Sequence, residues 1–600
     1  MTQPPIEDYA LLTDRATAAL VSRTGSIDWL CLPRLDSEAV FAALLGEAEN
    51  GRWLMAPADG TVERREYLGD SFVLRTTWRT PTGRCEVTEF MPQDVGGQGG
   101  DHSDLVRMVR CTEGHVTIEH ELRMRFAYGR SMPWVRRVAQ PTEHLVAVAG
   151  PEALLLRGPL LHPDDSQVKR HVGSFQLAQG EQLSWSLVRF RSWDDEPTPM
   201  DPQVLLQETL DDWSRWAGDL TGDVDSPAVR RSMLVLRALT NHETGGVAAA
   251  ATTSLPELWG GERNWDYRYV WLRDSALTIE AMLAHGVNER SWRDWLLRAI
   301  AGDHADLRIM YGLGGERIAE EEELDHLAGY GGARPVRIGN GAKDQYQADV
   351  VGEVMIALRR LRESGVAEDE FSWSLQRELV AFVKANLDKK DHGIWEMRGE
   401  PHFFTHGRVM MWAALDCAIT AVEEHGLAGD VQRWRELRDQ LRAEVDEQGV
   451  DPATGSFTMA YDNAEVDASL LMIPHTGFCA WDDPRMLATV QRIEAELVDE
   501  GGFVHRYRTD KGIDGLEGGE YGFVMCTFWL VEIWARTGRL AQARELFERV
   551  AGVANDLGLL AEEYDVESGR MAGNYPQAFS HLGLVQAAEA LRQAEARQQA

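Results

Sequence analysis

The sequence predicts a multidomain β + α protein, an N-terminal antiparallel β-sandwich followed by a C-terminal (α/α)6 barrel. Three observations predict it. Up to about residue 200 the chain runs in short alternating polar and apolar segments divided by Gly/Pro turns. From about residue 228 the apolar period becomes helical and stays helical to the end. The helical part breaks into about a dozen segments of two kinds, one-sided and apolar nearly all round.

The strand segments come first. Val73–Arg79 breaks at Thr80-Pro81-Thr82-Gly83 and resumes at Cys85–Phe90. Leu105–Cys111 and Val116–Leu122 flank a predicted turn at Thr112-Glu113-Gly114, and His144–Val148 and Leu183–Val188 follow. Such spacing suits a sandwich of two packed sheets. Helices are expected to start near residues 228, 274, 289, 346, 370, 408, 429, 463, 484, 520, 540 and 576. Val351, Met355, Leu358 and Arg362 trace a one-sided stripe, whereas 523–534 is apolar nearly all round. Alternation of the two kinds predicts an inner ring of helices inside an outer ring. The expected division is 1–205 for the sandwich, 206–227 for a helical linker and 228–600 for the barrel.

Composition narrows the partners. Among 600 residues, 96 acidic against 61 basic side chains leave a net charge of −35. That field repels phosphate backbones and anionic lipids, so no nucleic acid and no membrane is expected, whereas a small neutral oligosaccharide or disaccharide meets no such penalty. Self-association into a homo-oligomer stays open. The six cysteines (Cys31, Cys85, Cys111, Cys417, Cys479, Cys526) are scattered without ligand spacing, which predicts reduced thiols, no metal and no cofactor. The start, Met1-Thr2-Gln3-Pro4-Pro5, has no basic, apolar leader, and the longest apolar run, Phe523–Trp534, falls short of the ~20 residues of a membrane span. A cytoplasmic protein is expected.

Long connectors at 254–273, 303–345, 390–407, 500–519 and 557–575 are rich in Gly, Trp and charge, and in a helical barrel such loops can gather at one end. In Gly393-Ile394-Trp395-Glu396 a carboxyl directly follows a tryptophan, an environment that raises a carboxyl pKa and suits a general acid. A glutamate exposed on a turn reads the same way. Ala561-Glu562-Glu563-Tyr564-Asp565 offers a second carboxylate, and in so acidic a chain a solvated charge is the competing reading. The segment from Leu258 to Asp274 holds Trp259, Trp265, Trp271, Tyr267, Tyr269 and three arginines, a mixture that suits ring stacking and hydroxyl recognition better than core. A structural aromatic cluster with paired charges is its alternative. Pro335–Asp349 adds amides and a carboxylate before another helix, although its glycines fit simple turns.

Together these segments resemble glycoside hydrolase family 15, the family of glucoamylases, glucodextranases and some bacterial trehalases. The resemblance runs from Ile6–Leu12 and Gly25–Cys31 through Trp265–Asp274 and Gly393–Glu396 to Gly573–His581. It implies a sandwich, a linker and an (α/α)6 barrel, and hydrolysis with inversion at the anomeric carbon. It implies Glu396 as general acid, Glu562 as general base and Tyr267 as the residue that positions the attacking water. It further implies substrate binding by Arg273, Asp274, Trp271 and Trp395, with Trp265, Gln577 and Arg408 expected beside them. An inverting pair stands roughly 6.5–9.5 Å apart, with Glu396 protonated and Glu562 ionised. A one-residue shift would exchange Glu562 for Glu563, and the motif favours Glu562.

The sequence departs from the bacterial pattern at Thr405-His406-Gly407-Arg408 and at Asp416-Cys417, and the first of these lies close to where an aglycone could sit, which bears on substrate preference. The expected activity is exo-hydrolysis of a small α-glucoside with release of β-glucose, isomaltose-like or malto-oligosaccharide and glucoamylase-type, with α,α-trehalose hydrolysis as the alternative. A glycoside phosphorylase, which needs no base carboxylate, and a catalytically dead sugar-binding protein are the more distant readings.

Overall fold

The computed structural model describes residues 3–93, 103–140, 142–164, 170–222, 224, 226–287, 290–301 and 307–599. The first 191 residues form fifteen strands joined in one continuous sheet system, in which every named pairing is antiparallel. The system folds over as two layers because one strand serves both. Ser103–Arg123 pairs through its first half with Gly83–Phe90 and Gln182–Arg191, and through its second with Arg52–Pro57 and His171–Ala178. The turn predicted at Thr112-Glu113-Gly114 is therefore a correction. The chain runs straight on there, with Gly114 at φ +63° opposite Gly83.

Twelve α-helices follow the sheet among the described residues. The α-helices are α1 (Pro202–Gly218), α2 (Pro227–Leu239), α3 (Leu272–Ala284), α4 (Arg290–Ile300), α5 (Val350–Glu363), α6 (Glu370–Ala385), α7 (Thr405–His425), α8 (Val431–Gln448), α9 (Pro484–Glu496), α10 (Val524–Arg536), α11 (Leu540–Ala551) and α12 (Ala578–Gln599). With α1 bridging from the sheet, the barrel's twelfth element is not α-helical. The helix expected near 463 is a 3₁₀ segment, Ala468–Thr476. Pro474 lies inside it and has no N–H to give to a carbonyl four residues back, so an α-helix fails there. The start expected at residue 289, and the first residues of the connector expected at 303–345, lie outside the described residues.

The inner ring closes. Each of α3, α5, α7, the 3₁₀ segment, α10 and α12 touches the next in that order, and α12 returns to α3. Outside it, α2 packs on α12, α6 and α8 on α7, α9 on the 3₁₀ segment and α11 on α10. The two rings start differently. Outer helices α6, α8 and α9 are capped by Asp369, Asp430 and Asp483, whose side chains accept a backbone N–H of the first turn. Inner helices α3, α7 and α10 have Trp271, Phe404 and Phe523 at that position, with no side-chain cap. Their first amides bond instead to carbonyls of the long connectors, Leu272 to Ile309, Thr405 to Met459 and Val524 to Glu562. No helix among the described residues is long and apolar enough to cross a membrane, and all six cysteines are free thiols.

A Cβ added at Gly114 would lie 2.2 Å from the Thr82 carbonyl oxygen, on a backbone that side chains rarely adopt. Gly114→Ala is expected to cost the sandwich about 1–3 kcal/mol, read as a lowered unfolding midpoint in calorimetry.

Candidate active site

Connectors that precede the inner helices α3, α7, α10 and α12 converge on one cleft. Glu396, Glu562, Tyr267, Arg273, Asp274, Trp271, Trp395, Trp265 and Gln577 all line it.

Glu396 sits on a turn whose geometry is exacting. Its own φ is +59°, uncommon outside glycine, and Gly393 at φ +67° begins the turn that the Glu396 N–H closes onto the Gly393 carbonyl. The turn is held from several sides. Arg273 donates to the Ile394 carbonyl at 2.6 Å, Gln345 to the Met397 carbonyl at 3.0 Å, and the Trp395 indole to Asp467. The Trp271 indole N–H donates to Glu396 Oε1 itself.

Glu562 opens a small antiparallel ribbon in which Glu563–Asp565 pairs with Arg570–Ala572 and with Gly522–Phe523. Successive residues of a strand face opposite sides. Glu562 thus lines the cleft, while Glu563 turns away and accepts from the Tyr521 N–H at 3.0 Å. Glu562 takes the Tyr267 hydroxyl and the Asn574 N–H on its carboxylate, and its Oε1 has no partner in the protein. Burial, then the charge of Glu257, pushes Glu562 up to about 8. This corrects the expectation of a fully ionised base in the free protein, since a carboxylate sealed from water beside a second carboxylate holds its proton longer.

The two carboxyls belong to one construction. Glu396 is bonded by Trp271, the Trp271 and Tyr267 rings meet edge to face with centroids 5.5 Å apart, and Tyr267 is bonded to Glu562. Contacts through two rings thus link the carboxyls along the wall of the cleft. Beside them Arg273 pairs with Asp274 at 2.9 Å, and burial lifts Asp274 to about 6 against the pull of that guanidinium. Trp265 is flanked by Arg337 and Arg398, 4.7 and 5.0 Å from its ring.

Arg408 is a correction. It lies in the first turns of α7, and its guanidinium donates to the Leu387 carbonyl and pairs with Glu444 of α8 at 2.7 Å, so it joins inner to outer helix away from the cleft. Neighbouring His406 is buried with both ring nitrogens unpartnered, and burial lowers it to about 3. Sequence reasoning missed Arg263, Arg398, Arg506 and Tyr507, which line the cleft. Arg263 and the Tyr507 hydroxyl both bond Asp514, at 2.5 and 3.1 Å. Arg263 stood inside the aromatic segment and was the one legible signal among them.

Arg273→Met would strip the compensating charge from Asp274 and from Asp349, whose two buried oxygens have no other partner. A loss of about 3 kcal/mol in urea unfolding is expected. The deficit should be larger near pH 8 than near pH 5, because below its raised pKa Asp274 takes up a proton and no longer needs the cation.

Comparison with known proteins agrees with this architecture. The model for glycosyl hydrolases family 15 matches residues 224–589, and that for the trehalase-like N-terminal region matches residues 1–163. A trehalase of Mycobacterium tuberculosis is 36% identical, over 97% of this chain and 89% of that protein. A trehalase of Thermoplasma volcanium is 34% identical, over 98% and 94%. A bacterial glucoamylase crystallised with acarbose shares the fold, with TM-score 0.72 at 14% identity over 99% of this chain and 95% of that one. Sandwich, barrel and family model coincide along nearly the whole length, and the chain belongs to glycosyl hydrolase family 15, enzymes that hydrolyse O-glycosyl bonds.

Proposed function

We propose that the protein is an inverting α,α-trehalase of the cytoplasm. The observation that carries the chemistry is the pair Glu396 and Glu562 lining one cleft, linked along its wall through the Trp271 and Tyr267 rings. An inverting displacement places the sugar and a water between two such carboxyls. Glu396 protonates the glycosidic oxygen. Glu562, oriented by Tyr267 and Asn574, takes a proton from water through its unpartnered oxygen as that water attacks the anomeric carbon. The transition state is oxocarbenium-like, and its positive charge favours the ionised form of Glu562 at the moment the base is needed. Arg273 and Asp274 bind hydroxyls of the glucose being released, and Trp395 walls the site.

The substrate rests on likeness. The relatives are named trehalases, and the N-terminal region matches the trehalase-like model, which favours trehalose over the isomaltose-like substrate expected from the sequence. The glucoamylase likeness concerns the fold.

Four readings test this. Trehalose should give the highest kcat/KM in a panel with isomaltose and maltose, and a preference for isomaltose would return the glucoamylase-type reading. Early proton NMR of trehalose hydrolysis should show α- and β-glucose in equal amounts, one anomer from each half, whereas a retaining enzyme gives α alone. Glu396→Gln should lower kcat by on the order of 10²–10⁴, and Glu562→Ala should be nearly inactive, with azide restoring turnover. Because the base works ionised and its pKa is raised, kcat/KM should follow a bell-shaped pH profile whose acid side falls as pH drops through about 8.

A further inference from the structure

Behind the base lies a second group of acids that the mechanism does not use. Glu257, Glu520 and Glu563 come from three separate connectors, and one carboxylate oxygen of each lies within 4.8 Å of the others. All three are buried. Arg506 serves them together, with Nη2 2.6 Å from Glu257 Oε2, 2.5 Å from Glu520 Oε2 and 3.7 Å from Glu563 Oε1. The Oε1 atoms of all three have no hydrogen-bond partner. It is the one grouping with the spacing of a cation site among the described residues, and the Arg506 guanidinium already supplies positive charge there. Arg506, with Arg263 acting on Glu257 but already paired to Asp514, faces three buried carboxyls and Glu562 as a fourth nearby, and four negative charges are costly there at low dielectric. The group must share protons.

The backbone ties this group to the base. Glu562 and Asn574 bond each other, and the preceding amide, Gly573, donates to the Pro256 carbonyl at 2.8 Å, which clips the Pro256–Glu257 segment onto the end of the Arg570–Ala572 strand that pairs with Glu563–Asp565. The Tyr521 N–H joins the Glu257 carbonyl on the other side. The charged and titratable groups around Glu562 are Tyr267, Glu257, Arg506 and its neighbour Glu563, with Glu396 and the Arg273–Asp274 pair also lining the cleft.

We propose that Glu257 is a positioning residue whose charge, balanced against Arg506, sets the protonation of Glu562 and hence the acid limb of hydrolysis. Glu257 is the largest charge acting on Glu562 after burial itself, and it opposes the pull of Arg506. The device keeps the base strong. A carboxylate with a raised pKa is a better proton acceptor from water than one at its ordinary value of about 4.3, and it is still ionised in part near neutral pH.

This inference rests on Glu562 being the base, and the experiment separates the two. Glu257→Gln keeps the shape and removes the charge. The acid limb of kcat/KM on the best disaccharide substrate is expected to move down by about one pH unit, and kcat at alkaline pH to fall because the base is weaker. A purely structural role would lower activity at every pH and leave the limb in place. An unmoved limb in Glu257→Gln, with Glu562→Ala inactive, overturns the proposal and spares the base assignment. An active Glu562→Ala overturns both. Where Glu257→Gln does not fold, Glu520→Gln lightens the load on the same Arg506 and carries the same downward expectation, and an unmoved limb there overturns the proposal equally.

Discussion

Asp266 and Arg268 form an ion pair with no exposed side-chain surface, and much of the active site depends on it. Burying two charges is costly unless their remaining hydrogen-bonding capacity is met. Here the sandwich meets it. Arg268 donates to the Ser37 carbonyl at 2.7 Å and to the Tyr128 hydroxyl at 2.9 Å, while Asp266 accepts from the Gly339 N–H. Between the two charged residues stands Tyr267, on the cleft side. The N-terminal part thus grips Arg268, the residue after the tyrosine that lines the cleft beside Glu562, the proposed base. Trp29 adds a second grip through its indole bond to the Ala251 carbonyl.

The barrel contributes by what it leaves unfinished. The outer helices α6, α8 and α9 close their first turns with aspartates of their own, as isolated helices would. The inner helices begin on aromatic residues and borrow carbonyls from the connectors, and one lender is Glu562. An amide that would have been satisfied locally instead fixes the backbone of Glu562, the proposed base. Stability of the helix and placement of the carboxyl become the same bond.

Much of this was written in the order of the residues. Helical stripes, apolar segments such as 523–534 and the aromatic run before α3 depend on near neighbours, and periodicity reports near neighbours. Glu396 and Glu562 could be singled out because each stands in a distinctive short context. The misses share the opposite character. Glu257 meets Arg506 across 249 positions, and Arg263 meets Asp514 across 251, so no local pattern in so acidic a chain marks them. Arg408 was misplaced for the same reason, since its partner Glu444 lies on another helix. At Gly114 a glycine between two alternating runs reads as a turn, and only the strands on either side decide that the chain goes straight.

That uninterrupted strand, Ser103–Arg123, has a bearing on how the N-terminal half assembles. Neither layer possesses a complete set of strands without it, and its partners range from Arg52 to Arg191 in sequence. Pairings so distant must surrender a great deal of chain freedom before they return any stabilisation, which slows their formation. The two layers therefore gain their order together or not at all, and a ribosome must have delivered nearly two hundred residues before the first stable piece of this molecule can exist.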